Sequence, residues 1–154
     1  MQSVQEKIQT HFLMPSTLFV SAKPMKIQTV LGSCVAVCIY DQKRGFGGMN
    51  HFMLPIWKNE GLATPKYGNI AIPKLIDQMI RLNSHKKDLV AKLFGGSNHL
   101  FEKNIYEIGQ RNVELAYKLL DNEGIPIIAK DVGGKTSRKI FMDTQSNIIQ
   151  LKRF

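Results

Sequence analysis

The chain has 154 residues, with 21 lysines and arginines against 12 aspartates and glutamates, which gives a formal net charge of +9. This length suits one domain with a substantial core, so we expect a single domain over residues 1–154. The hydrophobic share of 44% argues against intrinsic disorder, and no apolar run approaches the roughly 18–20 residues of a membrane span. Residues 1–20 lack a basic start followed by an apolar stretch and cleavage site, so we expect no secretory signal. The charge suggests an acidic partner or nucleic acid and does not bear on the fold.

Strands dominate the hydrophobic pattern. The almost continuous apolar run from Val35 to Tyr40 is typical of a central strand that is buried on both faces. A polar turn at 41–44 follows it, and Pro55 ends the next strand. In chain order, the sequence predicts strands over 17–22, 27–40, 47–54, 88–94, 125–132, 138–144 and 148–153.

Two segments carry a helical pattern instead. Residues 70–82 place one apolar stripe along a helix, formed by Ile72, Leu75, Ile76, Met79 and Ile80. A second helix is predicted over 104–122, with Gly124 placed to end it. Strands therefore outnumber helices. We expect an α+β fold: one compact domain of layered mixed or antiparallel sheets, with the two main helices packed on one side.

The two cysteines, Cys34 and Cys38, are predicted to lie in the same strand. Four residues of strand separate their Cα atoms by ~13 Å, which exceeds the ~7 Å limit for a disulfide. Free thiols fit a reducing cytoplasm, so we expect a cytoplasmic protein. The four histidines show no ligand spacing with the cysteines, so we expect no metal.

One pair of residues suggests chemistry. If the strands on either side of the turn 41–44 form a hairpin, Tyr40 pairs with Gly45 and Cys34 lies directly opposite His51. Directly opposed Cβ atoms are about 4.5–5.5 Å apart on one face, which is close enough for an imidazole to take a thiol proton. A slip of one residue would move His51 to the other face. Cys38 has no base beside it and is expected to be core.

A Cys–His pair is a nucleophile and its base, because the thiolate attacks and a nearby imidazolium lowers the thiol pKa. Gly32 allows an unusual bend before Cys34, and backbone N–H groups near Ser33 and Cys34 are placed to stabilise an oxyanion. The alternative is that Cys34 is a small buried hydrophobe and His51 a hydrogen-bonded strand residue. A second open alternative concerns Arg111 and Asn112 on the second helix, which either orient active-site loops or make a buried polar contact.

The same residues lie in motifs that resemble the CheD-type chemoreceptor glutamine deamidase family. LGSCVAVCIYD at 31–41 and GGMNHFMLP at 47–55 carry the resemblance. It continues through Tyr67-Gly68, AKLFGG at 91–96, IGQRN at 108–112 and DVGGKTSRK at 131–139. These blocks follow the family's order over nearly the whole chain.

The resemblance implies a compact α/β enzyme of the bacterial cytoplasm that needs no cofactor. Such an enzyme hydrolyses glutamine side chains on methyl-accepting chemotaxis receptors to glutamate and ammonia. Cys34 matches the family's nucleophile and His51 its general base. The third catalytic position is a threonine six residues before the cysteine; here Gln28 stands there without a gap and Thr29 follows. Strand parity puts Gln28 on the Cys34 side, whereas Thr29 requires a bulge to reach it.

Two other functions remain as alternatives. The resemblance also implies binding of a CheC-type phosphatase in some species, and the Gln28 departure leaves room for a chain that acts mainly as such an adaptor. A basic nucleic-acid-binding module is the other alternative, suggested by the charge. Its basic residues are scattered and no aromatic stacking motif accompanies them, so we expect no nucleic-acid partner.

Overall fold

A computed structural model describes residues 7–98 and 107–154. Its strands are β1 (Gln9–Phe12), β2 (Thr17–Ser21), β3 (Met25–Leu31), β4 (Val35–Asp41), β5 (Phe46–His51), β6 (Leu89–Gly95), β7 (Ile127–Val132), β8 (Arg138–Asp143) and β9 (Ile149–Arg153). The helices are α1 (Gly68–Arg81) and α2 (Ile108–Asn122), and a short 3-10 turn covers Lys86–Asp88. The predicted start of the second helix, at Asn104, lies outside the described residues.

Two sheets and one helical layer form the fold. One sheet has the strand order β1-β3-β8-β9, and the other has the order β2-β5-β4-β6-β7. Both contain parallel and antiparallel pairs. The helices α1 and α2 contact each other and pack against the five-stranded sheet. The predicted α+β class, with layered sheets and helices on one side, is confirmed.

Strand β4 separates two hydrophobic cores, as its apolar sequence predicted. Val35, Val37 and Ile39 face the helices. Ala36 and Cys38 face the four-stranded sheet. The predicted central position is confirmed, since β4 lies between β5 and β6. Cys38 is core, as expected, and is only 1% exposed.

The apolar stripe on α1 is nearly as the sequence predicts. Ile72, Leu75, Ile76 and Met79 are buried in the helix-side core, whereas Ile80 is exposed. Pro73 is the sixth residue of the helix, past the first turn, so α1 lacks the bond that its N–H would make to the carbonyl of Asn69.

The predicted strand 27–40 is wrong as a single element, because it is two strands in different sheets. β3 ends at Leu31 in the four-stranded sheet, and β4 begins at Val35 in the five-stranded sheet. Gly32, Ser33 and Cys34 carry the chain across from one sheet to the other. The nucleophile candidate therefore lies at a crossing between layers, not in the middle of a strand.

The predicted hairpin register is also wrong, by two residues. Asp41 pairs with Phe46, so the turn covers 42–45 and Asp41 belongs to the strand. The Asp41 carboxylate is fully buried and accepts the backbone N–H groups of Lys43 and Arg44 and the hydroxyl of Ser84. These bonds hold Asp41 in the ladder. Cys34 and His51 are consequently not directly opposed.

Candidate active site

The corrected register still leaves Cys34 and His51 on the same side of the sheet. Val35 and Phe52 form a reciprocal backbone pair with bonds of 3.1 and 3.0 Å, and both face the helix-side core. Cys34 and His51 each precede one member of that pair, so their side chains point to the opposite face. Cys34 accordingly packs against the core between the sheets, and His51 reaches a residue of β3. Because side chains alternate along a strand, a register shift of two residues keeps Cys34 and His51 on the same face of the sheet. They are then diagonal neighbours instead of directly opposed.

His51 is held by Thr29. The Oγ1 atom of Thr29 lies 2.7 Å from Nδ1 of His51, and both side chains are almost fully buried. The same hydroxyl donates to the carbonyl of Leu13 at 2.8 Å. A hydroxyl has one hydrogen to donate, so Thr29 accepts from His51 and Nδ1 carries the ring hydrogen. The other nitrogen, Nε2, is thereby left with its lone pair available.

That second nitrogen is unusual in its surroundings. Nε2 of His51 is buried and has no hydrogen-bond partner among residues 7–98 and 107–154. Buried polar atoms are normally paired, because an unpaired one costs free energy. An unprotonated, unpaired ring nitrogen on the Cys34 face is what a base needs to accept a thiol proton.

The crossing Gly32–Cys34 is fixed by three consecutive carbonyl groups. The carbonyl of Gly32 accepts from the N–H of Ser97 at 3.0 Å, and that of Cys34 accepts from the N–H of Gly96 at 2.8 Å. The carbonyl of Ser33 accepts from Nδ2 of Asn112 at 3.0 Å. Because each peptide unit is planar, fixing a carbonyl also fixes the N–H that follows it. The loop before the thiol is therefore rigid.

Gly95 makes room for this loop. Its φ of +102° is one that side chains rarely allow, and a Cβ built on it would lie 2.2 Å from the carbonyl oxygen of Cys34. Only glycine permits so close an approach. Gly96, which follows it, also has a positive φ, of +69°.

Gln28 and Thr29 occupy opposite faces of β3. Thr29 lies on the same face as Ile27 and Leu31, which belong to the core between the sheets, whereas Gln28 is half-buried on the outer face. The parity argument that placed Gln28 near Cys34 assumed one continuous strand. Since the chain changes sheets at Gly32–Cys34, Thr29 reaches His51 without a bulge.

Burial makes the resting pair neutral. Desolvation lowers the pKa of His51 to about 4. It also raises the pKa of the half-buried Cys34 thiol, an effect that the residue's own backbone N–H partly offsets. The expected thiolate beside an imidazolium is thus not the resting state. At neutral pH the site holds a thiol next to a neutral imidazole.

Two supporting contacts were missed by the sequence. Strand β1 was not predicted, yet the residue after it, Leu13, supplies the carbonyl that orients Thr29. The N–H groups of Gly96 and Ser97 that hold the crossing follow a strand that is distant in sequence. Only the short apolar segment HFLM at 11–14 gave a signal, and it is too brief to distinguish a strand from a loop.

Metal-ligating clusters and membrane-spanning helices are both absent from the described part of the chain. There, no three His, Cys, Asp or Glu side chains come together in a cluster suited to a metal ion. No helix in residues 7–98 or 107–154 is long and apolar enough to cross a membrane.

Comparison with known proteins identifies the family. Residues 53–153, well over half of the chain, match the family described as "CheD chemotactic sensory transduction". The chain belongs to the CheD family. Among CheD relatives, a protein of Trichlorobacter lovleyi named "Probable chemoreceptor glutamine deamidase CheD" is 50% identical over 147 residues, covering 95% of this chain and 91% of that protein. A protein of the same name from Sulfurimonas denitrificans is 48% identical, covering 92% of each.

The CheD membership confirms the family that the sequence motifs indicated. A third relative, "Probable chemoreceptor glutamine deamidase CheD 1" of Anaeromyxobacter dehalogenans, is 41% identical over 84% of this chain and 75% of its own length. The names of these relatives agree with the prediction of an enzyme that acts on glutamine amides.

Proposed function

We propose that this protein deamidates glutamine side chains in the cytoplasmic region of methyl-accepting chemotaxis receptors, with Cys34 as nucleophile and His51 as base. The observation that carries the proposal is the orientation of His51. Its Nδ1 hydrogen is bonded to Thr29, and its unpaired Nε2 lies on the Cys34 side of the sheet. The relatives' names supply the substrate class.

The reaction follows from these roles. Nε2 of His51 takes the proton of Cys34 as the sulfur attacks the carboxamide carbon, which gives a tetrahedral oxyanion and an imidazolium. The imidazolium then donates its proton to the departing nitrogen, which leaves as ammonia, and a thioester remains. His51 next takes a proton from water while the hydroxide attacks the thioester. Collapse of this second intermediate breaks the C–S bond and releases the glutamate side chain, and the imidazolium returns its proton to the sulfur, which restores the thiol and the neutral imidazole.

Thr29 is the third member in this proposal. By accepting the Nδ1 hydrogen it keeps Nε2 unprotonated and directed to one side, and it stabilises the imidazolium once that forms. Gln28 has no such part, since its side chain faces the outer surface of the four-stranded sheet. Gly32 and Ser33 contribute through the backbone, as the peptide groups that lead into Cys34.

A neutral Cys34 thiol and a neutral His51 ring suit the hydrolysis of an amide, which is an unreactive substrate. An amide nitrogen is a poor leaving group that must be protonated to depart. Because burial keeps His51 neutral until it takes the Cys34 proton, the proton it then holds is strongly acidic and easily given to the leaving nitrogen.

A CheC-type phosphatase is the second partner implied by the resemblance, and we keep it as part of the proposal. A chain that acted only as an adaptor would gain nothing from a buried, unpaired Nε2, which costs stability. Deamidation is therefore the better-supported function. A cytoplasmic location and the use of the positive charge to attract acidic receptor helices belong to the same proposal.

The experiment compares wild type with Cys34→Ala and Cys38→Ala on a purified chemoreceptor cytoplasmic fragment. Mass spectrometry maps the glutamines converted to glutamate, and released ammonia is measured in parallel. We expect Cys34→Ala to be inactive and Cys38→Ala to keep its activity, because Cys38 is only 1% exposed in the core between the sheets and burial raises its thiol pKa to about 12. Full activity in Cys34→Ala would remove the nucleophile assignment, and an inactive wild type would remove the function.

A further inference from the structure

Asn112 is a buried polar side chain with an unusual set of partners. It lies on α2 and is fully buried. One Nδ2 donates to the carbonyl of Ser33 and also to the carbonyl of Met53, each at 3.0 Å. Ser33 immediately precedes the nucleophile candidate, and Met53 follows His51 by two residues. A single side chain therefore joins the two loops that carry the candidate catalytic pair.

The rest of the side chain is not explained by packing alone. Oδ1 of Asn112 is buried and has no hydrogen-bond partner in the part of the chain that the structure describes. An apolar side chain would avoid that unpaired acceptor but would leave the carbonyls of Ser33 and Met53 without this donor. The two donor contacts are what an asparagine provides and an apolar residue does not.

The contact of Asn112 with Ser33 also orients the peptide group between Ser33 and Cys34. The peptide between Ser33 and Cys34 is trans, since no cis peptide bond occurs among the described residues. In a trans peptide the C=O and N–H groups point in opposite directions. Asn112 pulls the Ser33 carbonyl toward α2, so the N–H of Cys34 points away from α2.

Among the three carbonyls of the crossing, only that of Ser33 is held by a side chain. The carbonyls of Gly32 and Cys34 are held by backbone N–H groups of Ser97 and Gly96. Replacing Asn112 therefore frees one peptide group and leaves its two neighbours tied.

We propose that Asn112 is a positioning residue that aims the backbone N–H of Cys34 at the oxyanion formed during deamidation. This inference rests on the proposed function. It adds a role for α2, in which Asn112 acts through the peptide group before Cys34. Since tetrahedral oxyanions depend on preorganised donors, rotation of this one peptide slows acyl transfer without removing the thiol.

The test uses two reactions that differ in their need for the oxyanion site. Deamidation of a chemoreceptor fragment passes through an oxyanion, whereas alkylation of Cys34 by iodoacetamide is a direct displacement at carbon and does not. The variants are Asn112→Ala and the milder Asn112→Ser, which keeps a donor on a shorter side chain. Alkylation reports on Cys34 alone, because Cys38 is buried and its thiol pKa is raised to about 12 by burial.

Thr144→Ala is the matched control. Thr144 is also fully buried and also joins two main-chain segments, accepting from the N–H of Met25 at 2.8 Å and donating to the carbonyl of Lys23 at 3.0 Å. It lies at the opposite end of β3 from the crossing. Its loss lowers stability, measured by urea unfolding, but leaves the peptide groups at Ser33 and Cys34 in place.

We expect kcat for deamidation to fall by about 10- to 100-fold in Asn112→Ala, somewhat less than when an oxyanion donor is deleted outright. Asn112→Ser is expected to lie between this variant and wild type. KM and the alkylation rate stay near wild type in both, and Thr144→Ala keeps its kcat. A wild-type kcat in folded Asn112→Ser and Asn112→Ala would overturn the inference. Equal losses of kcat and alkylation would also overturn it, because Asn112 would then only place the sulfur. An inactive wild type would instead refute the proposed function.

Discussion

His51 has two ring nitrogens in contrasting situations, and its low pKa follows from that contrast. Nδ1 donates to Thr29, whereas Nε2 has no hydrogen-bond partner in the described chain to stabilise a second ring hydrogen. Desolvation therefore favours the neutral form and lowers the pKa to about 4. The ring of His51 is therefore neutral over the whole physiological range, as the proposed role of base requires.

The free energy of unfolding is expected to depend on pH because His51 is buried. The pKa of His51 is about 4 in the folded protein against 6.5 as its ordinary value. Between these two pH values the unfolded state binds the proton and the folded state does not, so stability falls as pH falls from 6.5 to 4. The loss attributable to His51 is roughly 3 kcal/mol. Urea unfolding of wild type and His51→Gln over this range measures it as the difference between two curves. Parallel curves would contradict the assignment.

Thr29 decides which ring nitrogen of His51 carries the hydrogen. Thr29→Val keeps the shape but removes the acceptor, which leaves a buried Nδ1–H unpaired and lets the hydrogen move to Nε2. We expect kcat to fall by about 10²-fold, at the lower end of what general base catalysis contributes. Thr29→Ser is the matched control and keeps most of the rate. Steady-state kinetics measure both, and ring ¹⁵N shifts report the tautomer. Wild-type kcat in Thr29→Val would exclude the third role.

At the scale of elements, the candidate site depends on the close contact between the end of β6 and the crossing Gly32–Cys34. A Cβ on Gly95 would meet the carbonyl oxygen of Cys34 at 2.2 Å. A backbone atom cannot yield as a flexible side chain does, so the crossing itself must move. The glycine at this strand end is therefore part of the site although it carries no functional group.

Gly95→Ala is expected to reduce both deamidation and alkylation of Cys34, and to lower the free energy of unfolding. Gly124→Ala is the control, because Gly124 also has a positive φ, of +70°, but a Cβ there meets nothing within 4 Å. Gly124→Ala is expected to lower the free energy of unfolding by about 1–2 kcal/mol through backbone strain alone. It should leave both deamidation and alkylation unchanged. The two stabilities are compared by urea unfolding. If Gly95→Ala and Gly124→Ala had equal stabilities and equal reaction rates, the close approach of Gly95 to Cys34 would have no effect on the site.

The sequence predicted elements better than it predicted their boundaries. Most strands and both helices follow from hydrophobic period, which depends on nearby residues only. The break between β3 and β4 was missed because Gly32-Ser33-Cys34 contains no proline or charge to interrupt the apolar run. The hairpin register was missed because Asp41 is held in its strand by Ser84, which is distant in sequence.

At the scale of the whole molecule, the candidate site lies where the two sheets and the helical layer meet. The four-stranded sheet contributes Thr29, the five-stranded sheet contributes His51, and α2 contributes Asn112. Cys34 lies on the connection between the sheets. The motifs identified Cys34 and His51, since each is recognisable by residue type. The pairing of Thr29 with His51 depends on how the layers stack, which no local pattern encodes.

The crossing between the sheets also limits how the chain can change in length. Gly32–Cys34 joins two strands that are each locked in a separate ladder, and all three of its carbonyls are occupied. One inserted residue would have to be absorbed either by slipping a strand, which turns a buried face outward, or by bulging the segment that holds the thiol. The turn at 42–45 is also tied, by the Asp41 carboxylate, but it joins two neighbouring strands of one sheet, so an inserted residue there can extend toward solvent without slipping a strand or moving the thiol. Length variation among related chains is therefore expected at that turn, while the spacing from Thr29 to Cys34 stays constant.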